Sequence, residues 1–231
     1  MLGTVVYDLL SRRIDAPMTT PSPVDIAAYL AEAVGAGATH AVLEASSHAL
    51  DQHRTDGLAI AAGVFTNLTG DHLDYHGDMD RYLRAKKWLF DTLAPTATAV
   101  VNADSPQARA IVADCPARVL RYGMEPTADL WARIERMDMT GCRLAIATPW
   151  GRATATLPLI GRHNVSNALA ALGATLAVGV DMPTAVAGLE SAGQTPGRFQ
   201  RVGSPDLPIA VLVDYRSEER RVGKECRSRC S

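Results

Sequence analysis

Residues 61–93 read Ala-Ala-Gly-Val-Phe-Thr-Asn-Leu-Thr-Gly-Asp-His-Leu-Asp-Tyr-His-Gly-Asp-Met-Asp-Arg-Tyr-Leu-Arg-Ala-Lys-Lys-Trp-Leu-Phe-Asp-Thr-Leu. An apolar run, Ala61–Phe65, stops abruptly at a polar and charged loop, and a helical pattern follows. A wholly apolar strand feeding a helix is the repeating unit of a parallel sheet covered on both faces. In open sheets of this kind ligands bind outside the carboxyl ends of the strands, so chemistry is expected in the loop from Thr66 to His76.

The helix is predicted over Met79 to Leu93, opened by Gly77-Asp78 with acidic residues in its first turn. Met79, Tyr82, Leu83, Leu89, Phe90 and Leu93 recur at three- and four-residue spacing and define an inward stripe. Lys86 falls on that stripe, whereas Arg81, Arg84 and Lys87 fall off it. An inward lysine either lays its aliphatic stem on the core with a salt bridge to Asp71 or Asp74, or carries a functional nitrogen with a depressed pKa. The pattern alone leaves both readings open.

Upstream, Ala41-Val42-Leu43 lies in a predicted strand, His40–Glu44, that delivers Glu44 at its end. Gly3–Tyr7 reads as part of a strand and Asp8–Ala16 as a hairpin or loop. Thr19-Thr20-Pro21 precedes a helix predicted over Val24–Gly35, opened by Ser22-Pro23. A loop before a helix N-terminus suits an anionic or hydroxyl-rich ligand, and plain turn chemistry explains it equally well. Downstream, Thr98–Asn102 and Arg118–Tyr122 read as buried strands around a short helix at Gln107–Ala113. From Ala128 to Leu159 the pattern alternates, with a hairpin turn at Trp150-Gly151-Arg152, which predicts an antiparallel subsheet on the edge of the main one. Gly161 to Asn167 opens an Ala/Leu-rich helix ending near Gly179, and Asp181 caps a second. Gln194–Phe199 is linker-like, and Pro208–Asp214 is a predicted strand. The fold class is α/β: a doubly wound, mostly parallel sheet with a small antiparallel subsheet.

The 231 residues are 47% apolar, ample for a packed core. No run of 18 apolar residues occurs, so no membrane span is predicted, and the N-terminus lacks a signal-peptide pattern; a cytoplasmic location is expected. Cys115, Cys142, Cys226 and Cys230 form no CxxC pair, so a disulfide framework is not expected. Residues 216–231 carry six Lys/Arg against three Asp/Glu, a balance of +3, which leaves the remainder at 17 against 22, a balance of −5. An acidic body lacks the basic face a nucleic-acid binder needs. Residues 216–231 have no period and no apolar face. They resemble the translation of a sequencing-adapter oligonucleotide and are read as a non-native tail.

Glu44, His48, His53, Asp71, His72, Asp74, His76 and Lys86 concentrate oxygen and imidazole donors in one region. Carboxylates with imidazole and no thiolate suit Mg²⁺ or Mn²⁺ better than structural zinc. Asp71-His72-Leu73-Asp74-Tyr75-His76 is by itself reminiscent of metallohydrolase loops, so a metal-dependent hydrolase is one alternative; a non-catalytic nucleotide-binding module is another. His40, His53 and His76 taken singly read as satisfied or exposed histidines. Asn164 and Asn167 suit a helix cap or a ligand site equally.

Glu44-Ala45-Ser46-Ser47-His48-Ala49-Leu50, Val64-Phe65-Thr66-Asn67-Leu68, Asp71 to Gly77 and Gly161 to Asn167 together resemble the Mur ligases, more narrowly the MurE type. Thr19-Thr20-Pro21, Gly197-Arg198-Phe199 and Val213-Asp214-Tyr215 fall in the matching order, so the resemblance covers Gly3 to Tyr215. It implies an ATP-dependent ligase of peptidoglycan synthesis that activates a substrate carboxylate as an acyl phosphate, which an amino group then attacks. The substrates implied are UDP-N-acetylmuramoyl-L-Ala-D-Glu and a diamino acid, diaminopimelate or lysine. It further implies that Glu44 and His72 are Mg²⁺ ligands and that Lys86 is carbamylated by CO₂ and completes the metal and catalytic set. Thr19, Thr20, Ser46, Gln52 and Arg54 match contacts to the UDP-muramoyl-dipeptide. Asn164 and Asn167 match the adenine side of the ATP site, and Arg198 and Asp214 its ribose and phosphates.

The sequence also departs from the family. It contains no G-x-x-x-x-G-K-[ST], which in the family lies upstream of the point matching Gly3. Residues 1–200 are therefore expected to be a central ATP-binding domain without its phosphate loop, and 201–215 the start of a C-terminal domain. The full-length protein is expected to be a monomer with no nucleic-acid or membrane partner, and this polypeptide alone is expected to be inactive.

Overall fold

The computed structural model describes residues 1–69, 73–194, 200–202 and 211–213. Its centre is a six-stranded sheet in the order β3 (Ala62–Phe65), β4 (Thr98–Asn102), β5 (Arg118–Gly123), β6 (Leu130–Asp138), β7 (Gly141–Thr148) and β8 (Gly151–Leu157). The pairs from β3 to β6 are parallel, and β6–β7 and β7–β8 are antiparallel. The expected parallel sheet with an antiparallel edge is therefore what forms. Consecutive parallel strands ordinarily need a crossover of a dozen or more residues. β5 and β6 manage with residues 124–129 because they overlap only at Tyr122–Leu130 and Gly123–Trp131.

Pleating sends alternate side chains of each strand to opposite faces. Val100 and Leu120 face α6 (Arg162–Ala177) and α7 (Met182–Glu190), where Leu169, Leu172 and Leu176 close the larger core. Gly173 lets α6 approach closely, since a Cβ there would lie 2.8 Å from Val100 Cγ1. Phe65, Ala99 and Val101 face the other way, against Tyr82 and Phe90 of α4 (Met79–Asp91) and Ile111 of α5 (Ala108–Ile111). Helices on both faces make the sheet doubly wound. Gly141 turns β6 into β7 with φ 145°, where a Cβ would meet the Leu157 carbonyl oxygen at 2.0 Å, so only glycine fits. The outer strand β8 is blunted by Glu190 of α7, whose carboxylate accepts the Thr156 N–H at 2.9 Å.

The helix starts follow the capping expectations. Ser22 accepts from Asp25 N at the head of α1 (Pro23–Gly35), Asp78 from Arg81 N at α4, and Asp181 from Thr184 N at α7. The Gly161–Asn167 segment does start α6, but through Gly161 without a side-chain cap; Asn164 Nδ2 instead donates back to Ile160 O at 2.8 Å.

The N-terminal part packs as a small separate cluster. β1 (Val6–Asp8) and β2 (Arg13–Asp15) form the expected hairpin, and Leu2, Tyr7 and Leu9 gather against Tyr29 of α1 and Leu43. One element differs from expectation: residues 40–44 do not form a strand. Leu43 makes a single parallel bridge to Leu2, and Val42 is 68% exposed. A ladder needs a continuous partner, and Leu2 is itself engaged with Tyr7 of the hairpin. The region predicted as a strand at 208–214 contributes β10 (Val211–Val213), paired antiparallel with β9 (Gln200–Val202).

Candidate functional site

Chain segments far apart in sequence converge beside α2 (Ser47–Asp51), a single turn that follows Glu44 directly. Thr20, 1% exposed, donates through Oγ1 to the Glu44 carbonyl at 2.7 Å and accepts the Ser46 N–H at 3.0 Å. Ser46 also caps α2 by accepting the Ala49 N–H. Arg54 Nη1 donates to the Thr20 carbonyl at 2.9 Å, and its Nε and Nη2 donate to Gln52 Oε1 at 2.9 and 2.5 Å. Gln52 Nε2 reaches Tyr75 Oη at 3.3 Å, and Tyr75 donates to Asp51 at 2.9 Å. Thr19 Oγ1 lies 3.2 Å from Thr4 Oγ1. All of the expected substrate-contacting residues, Thr19, Thr20, Ser46, Gln52 and Arg54, thus belong to one hydrogen-bonded patch.

Glu44 borders the same patch. Its Oε2 accepts from Thr4 N at 2.9 Å and Thr4 Oγ1 at 2.8 Å, while Oε1 takes no hydrogen bond among the described residues. Thr4 was not anticipated; a threonine in an apolar strand carries no distinguishing signal. An exposed carboxylate with one oxygen fixed and the other open fits a hard divalent cation. Among the described residues no three His, Cys, Asp or Glu side chains converge as a complete metal site. His72 and Asp71 lie outside the described residues, as do Arg198 and Asp214.

Lys86 is half-buried on α4, as is Lys87, which the stripe placed off the inward face; Lys86 Nζ donates to the Asn67 carbonyl at 3.0 Å while lying 5.1 Å from the Tyr82 ring centroid. Of the two carboxylates considered as ion-pair partners, Asp74 is exposed and Asp71 is the one outside the described residues. Lys87 behaves differently. It pairs with Asp91 at 2.5 Å and Asp114 at 2.6 Å. Partial burial works against its charge, but the hydrogen bonds to Asp114 and Asp91 prevail and hold its pKa above the ordinary lysine value.

His76, at the end of α3 (Leu73–His76), is buried and ties α2 to α4. Its Nε2 meets Ser47 Oγ at 2.9 Å, and its ring stacks on Tyr82 at 5.0 Å. The expectation of a satisfied histidine holds for it. His53 pairs with Asp56 at 3.1 Å, and His40 meets Thr39 Oγ1 at 3.0 Å.

Asn164 and Asn167 lie on the first turns of α6, near the carboxyl ends of the parallel strands. Tyr122 near the end of β5 links the two regions: it donates to the Phe65 carbonyl at 3.2 Å and is hydrogen-bonded to Ser166 of α6. Burial pushes its phenol pKa well up, only partly offset by Ser166. Neither Tyr122 nor Asn102, which donates to the Thr66 carbonyl at 2.7 Å, stood out in the sequence, because no local pattern names the carbonyl each would meet.

Comparison with known proteins agrees with this geometry. Residues 1–175 match the Mur ligase middle domain. The chain is 43% identical over 215 residues to the UDP-N-acetylmuramoyl-L-alanyl-D-glutamate–2,6-diaminopimelate ligase of Gloeobacter violaceus, covering 93% of this chain and 44% of that protein. It is 38% identical over 231 residues to the UDP-N-acetylmuramyl-tripeptide synthetase of a Roseiflexus species, covering 93% of this chain and 45% of that protein. A solved structure of a UDP-N-acetylmuramoyl-L-alanyl-D-glutamate–2,6-diaminopimelate ligase superposes with a TM-score of 0.74 at 32% identity, over 83% of this chain and 40% of that one. The chain spans less than half the length of the curated relatives it matches. Among the described residues no helix is long and apolar enough to cross a membrane. With the matched segment covering most of the chain and the polar patch assembled from the motifs that carry the likeness, the chain belongs to the Mur ligase family.

Proposed function

We propose that this chain is the middle-domain portion of an ATP-dependent ligase that joins the third amino acid, diaminopimelate or lysine, to UDP-N-acetylmuramoyl-L-Ala-D-Glu in peptidoglycan synthesis. The observation that carries the reading is the single polar patch joining Thr20, Ser46, Gln52 and Arg54 to the backbone of Glu44. The relatives' names supply the substrate, and the patch supplies a surface of hydroxyls and one guanidinium suited to it. Residues 1–200 form the central domain, residues 201–215 begin a C-terminal domain, and 216–231 are a non-native tail. A cytoplasmic location and a monomeric full-length protein complete the proposal.

In this reading Thr19, Thr20, Ser46, Gln52 and Arg54 bind and orient the muramoyl-dipeptide. Arg54, planar and permanently charged, suits its carboxylate or phosphate oxygens. Glu44 Oε1, His72 and a carbamylated Lys86 would hold Mg²⁺, which offsets repulsion between the ATP γ-phosphate and the substrate carboxylate. Asn164 and Asn167 at the start of α6 would face adenine, with Arg198 and Asp214 toward the ribose and phosphates. The substrate carboxylate attacks the γ-phosphate, ADP leaves, and the incoming amine displaces phosphate from the acyl phosphate.

Calorimetric titration of UDP-N-acetylmuramoyl-L-Ala-D-Glu into the chain tests the patch. Binding that Arg54→Ala weakens at least about tenfold, the loss of a charge-assisted contact, is the expected result; absence of binding to the folded chain sinks the assignment. With ATP, Mg²⁺, this dipeptide and either diamino acid, the polypeptide should release no phosphate, since its sequence holds no phosphate-cradling loop. Turnover would overturn that part of the reading.

A further inference from the structure

We propose that Tyr75 and Asp51 are positioning residues that aim the Arg54 guanidinium at the substrate, acting through the side-chain amide of Gln52. The proposal deepens the reading of the polar patch above and rests on it.

Asp51, Tyr75, Gln52 and Arg54 form a chain of hydrogen bonds whose direction is dictated from one end. A carboxylate offers only acceptors, so the Tyr75 hydroxyl must donate to Asp51 Oδ2, at 2.9 Å. That spends its single proton. Tyr75 Oη can then only accept from Gln52, which must present Nε2 to it, at 3.3 Å. The amide oxygen therefore faces Arg54 and accepts from Nε and Nη2 together, at 2.9 and 2.5 Å. An amide turned the other way would set its NH₂ against the guanidinium, donor against donor. Tyr75 thus selects the orientation of Gln52 that holds Arg54. The tyrosine ring is itself placed by its neighbours: His48 packs against it with ring centroids 3.9 Å apart, and the buried His76 meets it edge-on at 4.8 Å.

On the other side, Arg54 Nη1 donates to the Thr20 carbonyl at 2.9 Å and to Met18 Sδ at 3.3 Å. The guanidinium plane is therefore set from two directions. Among the described residues one Nη2 N–H is left over, beside an Nη1 N–H engaged only by a thioether, which is a weak acceptor. Such a pair suits the two oxygens of a carboxylate or phosphate. Asp51, Gln52 and Tyr75 are all exposed, so water competes for each bond and none contributes much alone. Their value lies in direction. Without the Tyr75 hydroxyl, water satisfies either face of the amide, and Gln52 holds Arg54 for only part of the time. The effect on the substrate runs entirely through Arg54.

The test follows the Arg54 Nε–H proton by nitrogen–proton correlation spectroscopy in the free 231-residue chain, assigned by its loss in Arg54→Lys. Arg12, whose Nε–H donates to Glu32 at 2.9 Å, is the reference. Tyr75→Phe keeps the ring and removes the hydroxyl; it should speed solvent exchange of the Arg54 proton about threefold and leave Arg12 unchanged. Asp51→Asn, which can offer Tyr75 a donor in place of an acceptor, should act in the same direction with a smaller effect, and it serves if Tyr75→Phe fails to fold. In parallel, calorimetry with UDP-N-acetylmuramoyl-L-Ala-D-Glu should show Tyr75→Phe weakening binding about threefold, and adding nothing once Gln52→Ala is in place. An Arg54 proton indifferent to Tyr75→Phe, in a variant with a native circular dichroism spectrum, overturns the proposal. So does an unchanged affinity in Tyr75→Phe, or a further loss when it is added to Gln52→Ala. A wild-type chain whose Arg54 proton responds but which binds no dipeptide overturns the reading of the patch instead.

Discussion

The sheet face beneath α6 and the polar surface beside α2 are held by different forces. Under α6, Leu169 and Leu172 have essentially no exposed surface and belong to an apolar cluster with residues from β4 to β8. Beside α2, Ala49 and Leu50 are buried, and so are polar side chains: Thr20, Ser47 and His76 are 1%, 4% and 4% exposed. Among the described residues no buried side-chain nitrogen or oxygen lacks a partner there or elsewhere. The first region is fixed by volume and tolerates chemistry of similar size. The second is fixed by direction, and each bond removed leaves a partner stranded. A rigid apolar platform together with a directional polar surface is an arrangement suited to orienting a charged substrate.

The largest blow to the platform comes from Leu169→Ala, which opens a cavity between α6 and the sheet. It should cost about 2–5 kcal/mol in denaturant unfolding and leave the amide-exchange protection around Thr20 and Ser46 intact. Loss of protection at Thr20 to the same degree would show that the two regions share one cooperative unit, not two. Thr20→Val is the matching test on the polar side. The substitution keeps the shape but strands the Glu44 carbonyl and the Ser46 N–H, both bonded to Oγ1 in the native chain. About 1–3 kcal/mol is expected, from the desolvation of unsatisfied groups, despite no loss of volume. A neutral result would mean that water replaces the hydroxyl and that direction matters less here than volume.

The two regions were also unequally legible. Strands β4 and β5, helix α4 and the antiparallel edge could be read because apolar periodicity is written locally. Residues 40–44 carry the same signal, Ala41-Val42-Leu43, yet make only the Leu2–Leu43 bridge, because pairing depends on a partner that periodicity does not encode. In the site, motifs in register marked Thr20, Ser46, Gln52, Arg54 and Glu44, and the structure gathers them. Other contacts were less visible: Thr4 holds Glu44, and Asn102 and Tyr122 hold the Thr66 and Phe65 carbonyls, groups brought near by folding that no local pattern names. Lys86 and Lys87 show the limit plainly: stripe position turned only Lys86 inward and offered the ion pair to it, yet both side chains are half-buried and Lys87 is the one paired with Asp91 and Asp114.

The smallest expected effect concerns the exposed helix caps, which belong to neither region and so bound the comparison from below. Asp78 and Asp181 lie below the ordinary aspartate value of 3.8, chiefly because each carboxylate accepts a backbone N–H, from Arg81 and Thr184. A carboxyl with a lower pKa folded than unfolded stabilises the fold above the unfolded value, and that contribution disappears as pH falls through the folded one. Thermal stability should therefore decline below about pH 4. Asp181→Asn keeps a capping oxygen but cannot titrate, so its melting temperature should start close to wild type near neutrality and fall less steeply in acid. Asp78→Asn should do the same for α4, although Arg81 and Arg84 add charge attraction there, so its neutral-pH starting point should drop further. If both variants track the wild-type acid decline, the acid-sensitive carboxylates lie elsewhere. Glu32 is then next in line, held low first by its hydrogen bond from Arg12 and then by Ser11, at the edge of the N-terminal cluster.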